Sequence, residues 1–198
     1  MMRPDEDLVR AVLEPFEYGI YQAIYGAWKD YHELGLGGRL LFPSRSRACL
    51  VYDFMVNRFI STFADDAKVR VIRRDETVKF VIADQVVLRL KKADDRGLGS
   101  NIPTQASLDF VGQQYELPGI PDVHKVEVVY QLNFIQTQID KVVVVARDGD
   151  ERLWDYVIAP TTTADIIPLP LVATAEPERG ARIKLRKIKD DKKKDTGE

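Results

Sequence analysis

From residue 5 to 34 the apolar positions recur every three to four residues, the period of an amphipathic helix. Pro15 interrupts this stretch. Proline cannot donate to the helical ladder, so it starts or kinks a helix here rather than sitting inside one. Beyond it, Tyr18, Tyr21, Tyr25 and Trp28 form one stripe flanked by Ile20 and Ile24. The stripe is expected to face the core, with a partner surface as the alternative, because Tyr and Trp are enriched at interfaces. Gly35, Gly37 and Gly38 predict the helix end. A second helix is predicted from about Ser44 to Phe63, preceded by Pro43 and capped by Ser44 or Ser46. Val51, Met55, Phe59 and Phe63 keep its apolar spacing, and Cys49 reads as a small core residue within it.

At Lys68 the period changes to two. Residues 69–73, 78–82 and 86–91 predict three strands joined by turns at Asp75 and Asp84. In the third, Val86, Leu88 and Leu90 face one way and Val87, Arg89 and Lys91 the other. A polar loop follows at residues 93–101, then a short helix beginning near Pro103, and a rigid Leu117-Pro118-Gly119-Ile120-Pro121 connector. Val126, Val128, Tyr130 and Leu132 alternate as a fourth strand. Residues 138–146 form a fifth, too apolar to have one wet face, and Asp148-Gly149 turns the chain into a sixth at 152–159. The fold class expected is α+β: two N-terminal helices, then two antiparallel three-stranded meanders separated by a short helix. Residues 1–160 are expected to form a single domain. Residues 161–180, with Pro168, Pro170 and Pro177, read as an irregular strap, and 181–198 as a basic, disordered tail.

Charge adds an asymmetry to this picture. The net charge is −2, yet residues 179–198 carry +5, which leaves −7 on the body. Such a tail can reach for nucleic acid, fold back on its own acidic domain, or simply solubilise the end. No apolar run approaches the roughly 20 residues that span a bilayer, and the acidic N-terminal segment lacks a signal-peptide core. With one cysteine, an intrachain disulfide is impossible. The expected compartment is the cytoplasm, with no membrane partner, and the oligomeric state is open.

Several chemistries have no residues to carry them. His32, His124 and Cys49 do not make a zinc ligand set, and there is no phosphate-binding G-x-x-x-x-G-K-[S/T] loop and no G-x-S-x-G elbow. No metal site and no cofactor are expected. A metal-dependent nuclease of the PD-(D/E)xK type would use Asp75 or Asp84 as first acid and Lys91 as the lysine. The acid two residues before that lysine is missing, because Arg89 stands there, and a guanidinium cannot bind magnesium.

What remains is basic residues placed where anions bind. Arg39, Arg45 and Arg47 cluster at the predicted start of the second helix, whose dipole favours negative charge. Arg89, Lys91 and Lys92 are expected to present a flat basic strand face, with Asn101, Thr104 and Gln105 as uncharged donors nearby. In both cases the competing reading is ordinary solvated or ion-paired surface.

Four segments, Phe42-Pro43-Ser44-Arg45-Ser46-Arg47-Ala48, Val87-Leu88-Arg89-Leu90-Lys91-Lys92-Ala93-Asp94, Ser100-Asn101-Ile102-Pro103-Thr104-Gln105 and Leu117-Pro118-Gly119-Ile120-Pro121, together resemble an uncharacterised family of bacterial and prophage proteins. Members of that family are often encoded beside helix-turn-helix regulators fused to zinc metallopeptidases. The resemblance spans residues 40–158. It implies a setting in mobile-element regulation, toxin–antitoxin pairs or phage defence, and a protein partner, but no reaction. The resulting expectation is a non-catalytic binding protein. It would contact a regulator, nucleic acid or both through Arg45, Arg47, Arg89, Lys91, Lys92, Asn101, Thr104 and Gln105. The alternatives are a divergent nuclease or other phosphoester enzyme, and a structural assembly subunit using the Tyr18–Trp28 face.

Overall fold

Asp5 begins the first helix: its side chain accepts the Leu8 N–H at 2.9 Å, and Glu6 and Asp7 place negative charge in the first turn. A computed structural model of the chain describes residues 3–35, 42–74, 77–100, 104–113 and 123–159. Helix α1 (Glu6–Leu13) leads through one 3-10 turn (Glu14–Phe16), entered at Pro15, into α2 (Glu17–Glu33). The proline therefore marks the joint between two helices.

Helix α2 does not bury the aromatic stripe outright. Ile20, Ala23, Ile24, Ala27 and Tyr31 are buried, Tyr21, Tyr25 and Trp28 are half-buried, and Tyr18 is 54% exposed. A Cβ on Gly19 would lie 2.5 Å from the Phe63 ring, and one on Gly26 would lie 2.5 Å from the Arg58 guanidinium. The two glycines thus let α3 (Ser44–Thr62) pack closely, and the aromatic stripe falls on the shoulder of that contact. Arg58 donates Nε and Nη2 to the two Asp30 oxygens at 2.5 and 2.6 Å, clasping the same helix pair. Helix α3 is entered from Pro43 in extended conformation with no side-chain cap, so neither Ser44 nor Ser46 fills the expected role. Val51, Met55, Val56 and Phe59 are its buried face. Cys49 is exposed, contrary to expectation, because it shares the outward i, i+4 stripe with Arg45 and Asp53.

The strands are β1 (Val69–Arg74), β2 (Thr77–Ile82), β3 (Val86–Lys92), β4 (His124–Leu132), β5 (Ile139–Asp148) and β6 (Glu151–Ile158). They form one six-stranded sheet in sequential order. The α+β class and both meanders stand as the periodicity predicts. The meanders join through a parallel β3–β4 pair, so they make one sheet, and the crossover between them carries the short helix α4 (Gln105–Val111). Ala83 and Asp84 both take positive φ (50° and 55°), the geometry of a tight hairpin turn between β2 and β3. Asp75, Arg39, Asn101, the 117–121 connector, and the proposed strap and tail from residue 160 onward lie outside the described residues.

Helices α1 to α3 cover one sheet face, where the Phe59 and Phe80 rings meet at 3.9 Å and Val128, Val142 and Val144 are buried. The opposite face, expected to be polar and wet, is a second core. Phe110 and Val111 of α4 pack on Val81 and Val87, while Leu98 from the crossover packs on Val129, Val143 and Val145. This is why β5 reads as an unbroken apolar run: both of its faces are covered. Among the described residues no helix is long and apolar enough to cross a membrane.

His124, at the start of β4, ties this sheet to α1. Its Nδ1 accepts the Asp5 backbone N–H at 3.3 Å, which requires the neutral ring. Burial holds its pKa below the ordinary 6.5, against a smaller opposing pull from Asp5. A base whose folded pKa is depressed stabilises the fold above its unfolded pKa and loses that contribution as the pH falls through 6.5. Unfolding free energy measured in urea should therefore decline from pH 7 to 5.5, and His124→Asn, which keeps an acceptor but does not titrate, should show a shallower slope over that window. Equal slopes would refute the assignment.

Candidate functional site

Helix α2 ends and α3 begins at the same edge of the helical layer, and the C-terminal ends of β3 and β4 point towards it. The four elements, together with the β4–β5 turn, enclose a cleft of about 460 Å³. Trp28, Tyr31 and His32 line it from α2; Ser44, Arg47 and Val51 from α3; Lys92 and Tyr130 from the strand ends. Phe134, Ile135, Gln136 and Thr137 of the β4–β5 turn complete it.

The turn is built to hold its tip out. Asn133 Oδ1 accepts the Thr137 and Gln138 N–H groups at 2.8 and 3.3 Å, and the Gln136 N–H returns to the Asn133 carbonyl at 2.8 Å. Gln136 takes a positive φ of 54° to close it. With its backbone satisfied in this way, the turn leaves Phe134 fully exposed and Ile135 70% exposed beside the cleft. At the tip of this tight turn Phe134 buries nothing in the fold itself and Ile135 little.

The walls are aromatic. Trp28 lies 5.5 Å from Tyr31, 4.8 Å from His32 and 6.2 Å from Tyr130, ring centre to ring centre. Against this surface stand two cations. Burial lowers the Lys92 pKa first, and the charge of Arg47 lowers it further, partly offset by Asp95. Lys92 Nζ donates to Gln136 Oε1 at 3.5 Å. Arg47 is exposed and Lys92 half-buried, and an anion placed between two like charges on one cleft relieves their repulsion.

The predicted basic surface divides between the two faces of the sheet. Arg47 and Lys92 meet in the cleft, and Arg45 is exposed in the first turn of α3. Lys91 is half-buried and leans towards α3, its Nζ 6.0 Å from the Tyr52 ring. It reaches there because β2 and β3 pair only from Phe80↔Leu88 to Ile82↔Val86 and then part, with the Tyr52 hydroxyl accepting the Val78 N–H at 3.1 Å in the gap. Desolvation, and secondarily the Arg89 charge, brings the Lys91 pKa down to about 8.

Arg89 is not at the surface. It is 3% exposed on the far face, its guanidinium 4.8 Å from the centre of the Phe110 ring. Burial pushes its pKa down, and Glu127 opposes that shift. Thr104 caps α4 by accepting the Ser107 N–H at 3.3 Å, and Gln105 Nε2 donates to Asp109 one turn on. Those two side chains are occupied by the helix they begin, on the face away from the cleft. The flat basic strand face is thus replaced by a covered layer in which Lys79, Arg89, Lys125, Glu127 and Arg147 are all buried.

Sequence reasoning missed Tyr31, His32, Tyr130, Phe134 and Gln136 as cleft residues, and placed Trp28 in the core, against which it packs while also lining the cleft. One signal was available: a Phe-Ile pair inside a tight turn, where polar residues are the rule. Of the two acids the nuclease reading offers, Asp75 lies outside the described residues and Asp84 is far from Lys91. Asp84 sits at the β2–β3 turn, ion-paired with Arg70, while Lys91 lies five residues past the start of β3, about 16 Å along the strand. Among the described residues no group of three or more His, Cys, Asp or Glu side chains is placed to hold a metal ion. Compared with family models, curated proteins and solved structures, the chain matches none.

Proposed function

We propose that this chain is a non-catalytic binding protein that engages nucleic acid at the cleft between α2, α3 and the β4–β5 turn. The carrying observation is that Arg47 and Lys92, far apart in sequence, line one cavity with an aromatic wall. Lys and Arg bind phosphates, and aromatic rings stack with bases, the combination by which single strands are held without sequence preference. Arg45, exposed one turn away, extends the basic rim. The setting implied by the family resemblance, a regulatory module of a mobile element or phage-defence system, is compatible with such a role and adds a regulator protein as a second partner.

Fluorescence anisotropy with labelled DNA and RNA tests this on the full chain. Arg47→Glu and Lys92→Glu should each weaken binding at least about tenfold and flatten its dependence on log[salt] by roughly one unit per lost phosphate contact. Binding left intact in both variants would place the contact elsewhere, the C-terminal segment included, and refute the site. Cleavage that depends on magnesium or manganese and stops with EDTA would overturn the non-catalytic reading.

A further inference from the structure

The cleft differs from a groove that merely tracks a backbone. It is a half-open cleft of about 460 Å³, a volume inside the roughly 300–1,000 Å³ range of small-molecule pockets. Its wall is the half-buried Trp28 ring, backed by the buried rings of Tyr31 and Tyr130, and its polar groups are His32, Ser44, Gln136, Thr137 and the two cations Arg47 and Lys92. Polar side chains that converge on one space read a small ligand rather than a long surface. At the rim stands Phe134, with its whole ring in solvent on a turn whose backbone is already satisfied. A base inside a duplex is stacked on both sides and cannot enter such a cavity, whereas an unstacked base can, at a cost that is least for an end or an already single strand.

We propose that the cleft takes one unstacked nucleotide of a single-stranded nucleic acid, its base against Trp28 and Phe134, its phosphate at Arg47 and Lys92. This rests on the nucleic-acid reading above and narrows it to a ligand class. The pocket reads a single nucleotide unit, so binding prefers single strands and free ends, and a 5′-mononucleotide competes for the same space. Ser44 and Gln136 supply the hydroxyl and amide that can meet a base edge.

The test uses the full chain with a 12-nucleotide single-stranded DNA, the same sequence as RNA, the corresponding blunt duplex, and adenosine and uridine 5′-monophosphates as competitors. Both single strands should bind at least about tenfold more tightly than the duplex, and each mononucleotide should displace them. Phe134→Ala should weaken single-strand binding by about tenfold with an unchanged thermal melt, since stacking on one aromatic ring carries that order of effect; Phe134→Trp should restore it. The variant is safe for folding because the ring it removes is already fully exposed. The DNA and RNA arms show whether the 2′-hydroxyl is also read. If duplex binds as tightly as single strand, or if Phe134→Ala binds as wild type while Arg47→Glu does not, the one-nucleotide pocket is wrong and the broader nucleic-acid reading stands. If no nucleic acid binds at all, both fall.

Discussion

Glu127→Ala is expected to lower the unfolding free energy by about 3–5 kcal/mol, the scale for removing one partner of a buried ion pair. Glu127 is 1% exposed on β4, within the covered layer on the far face of the sheet. Its Oε2 accepts Arg147 Nη1 at 3.4 Å and the Gly99 N–H at 3.2 Å. Arg147 holds the same region from β5: Nη1 donates to the Gly99 carbonyl at 3.3 Å and Nε to the Gly149 carbonyl at 2.7 Å. Gly99 is closely fitted, for a Cβ there would lie 2.5 Å from the Glu127 carboxylate. Beside this group, Gln113 Nε2 donates to the Arg147 carbonyl at 2.8 Å, Lys125 Nζ donates to the Gln113 carbonyl, and the Gly149 N–H reaches the Val111 carbonyl at 2.9 Å. One acidic side chain therefore helps fasten the start of the β3–β4 crossover to two strands. Arg147→Ala should cost a similar amount, and the double variant Glu127→Leu/Arg147→Met should recover part of the loss. Recovery stays partial because the Gly99 N–H is left without its acceptor. Urea unfolding of these chains measures the losses, and Glu127→Ala/Arg147→Ala completes the double-mutant cycle. Additive losses would show that the two residues act separately.

The helices and strands were legible because their periods are strong. The switch at Lys68 from a spacing of three to four to a spacing of two places β1 to β3 within a residue or two, and the unbroken apolar run at 142–146 correctly announces a strand with no wet face. What one-dimensional pattern cannot carry is which strands become neighbours across a long connection. The β3–β4 pair depends on a crossover folding back over the sheet, and nothing in the local alternation of Val87, Arg89 and Lys91 distinguishes a face covered by α4 from one open to water. The same limit hid the cleft. Arg47 and Lys92 were visible as cations, but their meeting depends on α3 lying across the end of β3. Trp28 does pack against the core as a helical stripe predicts, but only half-buried, and the periodicity does not show that its outer part lines a cleft. The exposed Phe134 follows from the Asn133-centred turn, which is local, and its apolar tip was a further clue to the site beside the two cations.

Arg89 and Lys92 are three residues apart on one strand, and charge reversal should separate them completely. Arg89→Glu is expected to abolish cooperative folding. Its carboxylate would replace a guanidinium that is 3% exposed, sits over the Phe110 ring, and lies directly opposite Glu127 in the parallel β3–β4 register. Two buried like charges in register, one of them against the negative face of an aromatic ring, exchange an attraction for a repulsion. The cost of breaking a buried pair, about 3–5 kcal/mol, rises further when the new charge repels its neighbour. That is comparable to the whole stability of an ordinary domain, about 5–15 kcal/mol. Lys92→Glu acts on the other face, at the half-buried mouth of the cleft, where solvent reaches both the old charge and the new one. Its thermal melt should stay within a few degrees of wild type while nucleic-acid binding is lost. Circular dichroism of the two variants, read beside anisotropy, separates a residue that holds the fold from one that faces the ligand. A soluble Arg89→Glu chain with a normal melt and lost binding would return Arg89 to the surface and reunite the basic face that the sheet divides.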